Sequence, residues 1–240
     1  MRDFLKFLSL FLAVIFFVAI ALYAFLVTVI PLPPEKTIPY ELSRVLEAQL
    51  IYLGRMSSLD WKDALRIFTR NTVAILGAFL AFLFLKRQVR TARATTTSEV
   101  SISSETRRVL LFLSFVSPVV LGGMFALATY RLHRIDGGSE FRILALSLLI
   151  SAWHAPFELA AIALTIYRLF YRSLVEFTIS SRTSIETLLD TSFTSAIRAL
   201  PIVLILLAFA ACIEAQSGCG ALIALNRASV AYFTSEFPPL

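Results

Sequence analysis

The stretch Phe7–Ile30, FLSLFLAVIFFVAIALYAFLVTVI, runs for 24 residues and is broken among polar types only by Ser9, Tyr23 and Thr28. At a rise of about 1.5 Å per residue it makes a helix of about 36 Å, enough to cross a hydrocarbon core of about 30 Å with some tilt. A backbone inside hydrocarbon must satisfy its own N–H and C=O groups, and a lone apolar segment does so as α-helix. The run is too long for the core of a cleaved leader. It has no small-x-small site before Pro31-Leu32-Pro33-Pro34, so it predicts an uncleaved anchor.

The composition extends this reading to the whole chain. Of 240 residues, 58% are hydrophobic and 16% charged, and the mean hydropathy is +0.80. A soluble domain of this length could not hide so much apolar surface, whereas a bilayer solvates it. With only 8 Gly and 9 Pro and no repeat, disorder, collagen and coiled coil are excluded as well. Lys and Arg exceed Asp and Glu by 22 to 16, a net +6. No nucleic-acid motif accompanies that charge, which reads instead as membrane topology and attraction to anionic headgroups. Membrane lipids are therefore the first expected partner, and nucleic acid is not one.

Four further apolar runs follow. The second span is expected at about 71–85, ending at Lys86-Arg87; the third at 109–130; the fourth at 143–166, after a turn containing Asp136-Gly137-Gly138; and the fifth at 199–215, with Pro201 near its first turn. Proline is tolerated there because the first N–H groups of a helix have no intrahelical acceptor. Two amphipathic surface helices are expected beside these spans. One lies at 40–56, where Leu42, Val45, Leu46, Leu50 and Leu53 recur at helical spacing. The other, at 184–198, follows a Thr183…Glu186 capping box and carries Ile185, Leu188, Leu189, Phe193 and Ile197 on one face. Ser57…Asp60 resembles a second capping box, and Trp61 sits where an interfacial aromatic anchors a helix end. The piece 221–235 is short and interrupted by Asn226-Arg227, which leaves a sixth crossing open. The fold class is thus all-α: one polytopic transmembrane bundle of five spans, or six, over residues 1–240.

Basic residues set the orientation. The loop 86–108 carries Lys86, Arg87, Arg90, Arg93, Arg107 and Arg108 against Glu99 and Glu105. Placing it on the cytoplasmic side together with Arg2, Lys6, Arg168 and Arg172 puts the N-terminus inside and the balanced 31–70 segment outside, in the cell membrane. The same loop offers a docking surface for another protein.

The polar exceptions within the spans carry what chemistry there is. Trp153-His154-Ala155-Pro156-Phe157-Glu158 places an imidazole and a carboxylate four residues apart, on one helix face. Both are costly against lipid and should turn inward, paired with each other or with a neighbouring helix. Pro156 lacks an N–H and should leave the Ala152 carbonyl without its helical donor. Glu214 in the fifth span and Asn71 near the start of the second are the expected partners, so that His154, Glu158, Glu214 and Asn71 make one intramembrane polar cluster. It reads either as an interhelical hydrogen-bonded contact or as a site for an ion, proton or headgroup. The second histidine of a His-Glu-x-x-His zinc helix is missing, no serine or cysteine is set beside a base, and Gly122-Gly123 and Gly137-Gly138 are isolated pairs without a phosphate-loop context. Cys212 and Cys219, seven apart, could bridge only if Gly218 and Gly220 break the helix, and they form no metal cluster. No catalytic residue, metal or cofactor is expected.

The string His154-Ala155-Pro156-Phe157-Glu158-Leu159-Ala160-Ala161 resembles the histidine-glycine…glutamate-leucine-proline-alanine signature of the stage II sporulation protein M family. Phe68-Thr69-Arg70-Asn71 is similar to the family's asparagine at the opening of a span, and Ile213-Glu214-Ala215 to its glutamate-alanine at the end of the last one. The chain departs from that pattern in Ala155, Trp153 and Gln216-Ser217-Gly218. The resemblance implies a five- or six-helix membrane protein without an established enzymatic activity, whose founding members look like scaffolds for envelope-remodelling machinery. The expected function is a nonenzymatic membrane scaffold or complex subunit, with other membrane or envelope proteins as partners and room for oligomers. The rival expectation is a permease component for a lipid or small solute.

Overall fold

A computed structural model describes residues 2–30, 61–95, 99–135, 142–179 and 184–216, and among them there is no strand. The helices are α1 Arg2–Val29, α2 Trp61–Thr95, α3 Glu99–Ile135, α4 Arg142–Ile166, a π-helical turn Tyr167–Tyr171, α5 Arg172–Ile179 and α6 Ile185–Gln216. Four segments are long and apolar enough to cross a membrane: Arg2–Val29, Trp61–Thr95, Ser104–Tyr130 and Ile185–Ala215. They contain the second, third and fifth expected spans and all of the first but Ile30, and they mark a membrane protein. The expected fourth span coincides with α4.

Sequence explains where α1 stops. The carbonyls of Val27, Val29 and Ile30 would take their helical hydrogen bonds from residues 31, 33 and 34, and all three are proline. Ile30 still donates to the Leu26 carbonyl at 3.0 Å. Its own carbonyl accepts instead from the Tyr130 hydroxyl, also at 3.0 Å.

The ends of the other helices correct the sequence reading. Helix α2 begins at Trp61, not near Asn71, and it does not stop at Lys86-Arg87 but continues to Thr95. The expected basic loop 86–108 is helical at 86–95 and again at 99–108. Lys, Arg, Gln and Ala are good helix formers, so Lys86-Arg87 ends the apolar stretch without ending the helix. Residues 184–198 are not a separate surface helix; they are the first half of the 32-residue α6, with Leu188 and Leu189 buried. Pro201 therefore lies inside that helix rather than in its first turn. Its ring forfeits one hydrogen bond, to the Ile197 carbonyl, without ending the helix. The cap also shifts by one position. Ser184 Oγ accepts from the Thr187 N–H at 3.3 Å, and the Ser184 carbonyl takes the first helical bond, from Leu188 at 3.1 Å. The expected surface helix at 40–56, the Ser57…Asp60 box, the turn at Asp136 and the piece 221–235 lie outside the described residues.

The chain divides into two compact units, and each takes part of every long helix. The first comprises Met1–Val18, Thr69–Gly122 and Phe157–Leu207. In lipid, burial gains nothing from leaving water, so contact quality holds helices together. Phe82 lies 5.6 Å from Phe170 and stacks on Phe193 at 6.2 Å, ring centre to ring centre, while Phe7 packs on Tyr171 at 4.6 Å and Phe11 at 5.7 Å. Such aromatic contacts are worth about 0.5–1.5 kcal/mol each beyond the area they cover. The hydroxyls of Ser173 and Ser192, both fully buried, meet at 2.6 Å.

Ion pairs hold the polar extension of α2 against the first half of α6. Lys86 pairs with Asp190, Arg90 lies 3.7 Å from the same carboxylate, and Arg93 reaches Glu186 at 3.3 Å. Three of the six basic residues of the expected docking loop, Lys86, Arg90 and Arg93, thus lie against the chain's own acids. Asp190 is 48% exposed, so each pair is worth at most about 1 kcal/mol. Asp190→Lys should lower stability by about 1 kcal/mol in thermal melts of the detergent-solubilised protein, and adding Lys86→Asp should restore it. Equal melts for all three proteins would show that these pairs contribute nothing.

The second unit comprises Ala19–Phe68, Gly123–Pro156 and Ala208–Leu240. Its described core holds small residues: Ala64, Ala126, Ala210 and Ala211 are buried together with Ile67 and Tyr130. A Cβ added at Gly123 would meet Leu22 Cδ2 at 3.8 Å, an ordinary van der Waals contact. Small residues let helix backbones approach closely, the usual solution where lipid replaces water.

Candidate functional site

Three helices carry the four polar residues singled out by sequence. Helix α4 sets His154 and Glu158 one turn apart and runs unbroken through Pro156. Helix α2 carries Asn71, ten residues beyond its first residue Trp61, and α6 carries Glu214 in its last turn.

In the first unit, Asn71 Nδ2 donates to Glu158 Oε1. Arg70 Nε lies 3.4 Å from the other end of the same carboxamide, Asn71 Oδ1. That contact fixes the amide orientation: its oxygen faces the exposed guanidinium and its N–H₂ faces the half-buried carboxylate. A hydrogen bond to an ionised acceptor is worth about 1.5–3 kcal/mol when measured by removing it, roughly twice a neutral one.

In the second unit, His154 is 7% exposed and Glu214 4%. Their imidazole nitrogen and carboxylate oxygen lie within 4.8 Å of each other. At that separation a water can complete the contact. An imidazole and a carboxylate together can hold a proton between them. Within each unit, then, the structure brings together one pair: Asn71 with Glu158, and His154 with Glu214. Cys212 is half-buried in α6, and Cys219 lies outside the described residues.

Sequence reading took Arg168 and Arg172 only as topology markers. In the structure both turn onto α6 and donate to Ser195 Oγ, from Arg168 Nη1 at 2.9 Å and from Arg172 Nη1 at 3.3 Å. Their spacing of four was the available signal, since it places both guanidiniums on one face. Arg168 lies within the π-helical turn and Arg172 caps it, its N–H bonding back to the Tyr167 carbonyl. Such turns are rare and concentrate at functional sites.

No family model matches the chain, and neither a curated protein nor a solved structure matches it.

Proposed function

We propose that the protein is a nonenzymatic multi-pass scaffold or complex subunit of the cell membrane, with α4 as a fifth crossing and the N-terminus cytoplasmic. The observation that carries this reading is the extension of α2 beyond its apolar stretch. Residues 86–95 continue as helix and are fastened to α6 through Asp190 and Glu186. A basic segment that needed only to fix topology would gain nothing from being held in one conformation; a surface that must fit another protein would. Arg87 and Arg90 remain exposed on it. The resemblance to the stage II sporulation protein M family supports the same reading, as do the motifs quoted for it. Membrane and envelope proteins are the partners this surface suits.

The two polar pairs, one buried and one half-buried, favour a second reading, a permease component for a lipid or small solute. Each pair includes an ionisable carboxylate, and intramembrane ionisable groups commonly mark transport paths. Reconstitution separates the two readings. In the scaffold reading, proteoliposomes show no solute uptake or lipid flipping that depends on Glu158, and a photo-crosslinker at Arg87 in native membranes captures one defined envelope protein, lost on Arg90→Glu. Uptake abolished by Glu158→Gln would overturn it.

A further inference from the structure

Helix α6 and the α4–π–α5 segment border a groove of about 800 Å³ in the first unit. Its composition changes along its length. At one end it is walled by Leu164, Ala199 and Ile202, and at the other by Thr187, Asp190 and Thr191. Residues 187 to 202 of a helix span about 22 Å, so the groove runs from lipid-compatible walls to polar ones.

Three arginines line the transition, Arg168, Arg172 and Arg198. Their charges are compensated unequally. Arg172 is paired with Glu176 at 2.6 Å, and the groove's carboxylate, Asp190, is already engaged by Lys86 and Arg90. Arg168 and Arg198 have no carboxylate partner among the described residues. Arg168 Nε is buried and finds no hydrogen-bond acceptor there, although its Nη1 is fixed by Ser195. With Nη1 fixed by Ser195 and Nη2 bonded to no described residue, this guanidinium is held in place with donors to spare for an oxyanion.

We propose that this groove binds an anionic phospholipid, with the phosphate between Arg168 and Arg198 and an acyl chain along Leu164 and Ile202. A phosphate ester supplies the oxygens that the two guanidiniums lack. The apolar end accounts for a lipid rather than a free anion, because a bare phosphate leaves Leu164, Ala199 and Ile202 without a role. Basic pockets at the edge of transmembrane helices take anionic headgroups by the same electrostatics.

The test uses the full-length protein in detergent, titrated with dioleoylphosphatidylglycerol, dioleoylphosphatidylcholine or inorganic phosphate. Retained adducts are read by native mass spectrometry, and stability by the melting temperature. Phosphatidylglycerol should remain bound and raise the melting temperature, and phosphatidylcholine should do neither. Arg198 is exposed and bonds to no other described residue, so R198Q should fold as wild type. It should bind phosphatidylglycerol about fivefold more weakly, and R168Q/R198Q at least about tenfold, as expected for about one charge contact per arginine. R66Q, which removes an exposed charge outside the groove, should bind normally. I202W should exclude the lipid. Equal phosphatidylglycerol binding by wild type and R198Q overturns the proposal, and so does an equal loss in R66Q, which would mean bulk charge alone. Inorganic phosphate that stabilises as well as phosphatidylglycerol, with no effect of I202W, would make this a free-anion site and overturn the lipid assignment.

Discussion

Gly122→Leu is expected to be the most damaging single substitution among the described glycines. A Cβ built on Gly122 would lie 2.7 Å from the Ile15 carbonyl oxygen and 2.8 Å from Val18 Cβ. Neither neighbour can rotate away: one is backbone, and the other is fixed to it. The α1 and α3 segments of the first unit must therefore separate, which costs about 1–3 kcal/mol or more, as overpacking does in well-packed interiors. Gly122→Ala should show a smaller loss of the same sign, since Cβ alone already makes the clash. The adjacent Gly123→Ala should be tolerated, because the nearest atom, Leu22 Cδ2, is 3.8 Å away. Gly77→Ala meets nothing within 4 Å and should gain up to about 1 kcal/mol from helix propensity. Thermal unfolding of the four variants in one detergent gives the ranking; a Gly122→Leu protein that melts with wild type would mean that α1 does not pack on α3 in this way.

Asn71→Asp should be nearly as costly, by an electrostatic route. Asn71 is a donor to the Glu158 carboxylate, and the substitution puts a second carboxylate in its place. The lost charge-assisted bond is worth about 1.5–3 kcal/mol. A second acid at membrane depth adds to that cost, about 2.5–3.5 kcal/mol at the centre of a span and less toward its end. A net loss of about 2–4 kcal/mol is expected. Asn71→Leu removes the donor without adding charge and should cost about 1–2 kcal/mol, nearer the value for interhelical hydrogen bonds in membranes. Glu158→Gln alone should be mild, because an amide oxygen still accepts from Asn71. In the double variant N71D/E158Q the new glutamine N–H₂ faces the new carboxylate, and most of the loss should return. A double-mutant cycle measures this coupling directly. Additive losses, with no recovery in the double variant, would show that Asn71 and Glu158 do not interact in the folded protein.

The legible part of the fold is the part lipid dictates. Phe7–Ile30 had to be a helix because hydrocarbon offers its backbone no other partner, and the prolines at 31, 33 and 34 set its end without reference to any other segment. The spacing of His154 and Glu158 likewise put both on one face before any neighbour was known. The basic run after Leu85 was misread for a definite reason. Arg and Lys signal where hydrocarbon stops, and that boundary says nothing about where hydrogen bonding stops. The helix from Lys86 to Thr95 owes its fixed position to Asp190 and Glu186, about a hundred residues away. The 184–198 segment differs in the opposite sense: its amphipathic face matches a helix lying on the membrane surface, and in the fold Leu188 and Leu189 of that face are buried while Ile197 remains exposed.

The sequence by itself therefore determined that this is a membrane protein of long helices, and it determined which residues are too polar to face lipid. Those properties follow from transfer energies and local periodicity, which belong to each segment alone. Only the tertiary structure decided that Asn71 supplies the donor to Glu158, that Glu214 lies beside His154, and that Arg168 and Arg172 converge on Ser195. It also showed that Gly122 lies against the α1 backbone at Ile15, with no room for a Cβ. Pairings of this kind depend on helix rotation and crossing. In lipid these are set by short-range packing and hydrogen-bond geometry, for which no single segment carries a signal.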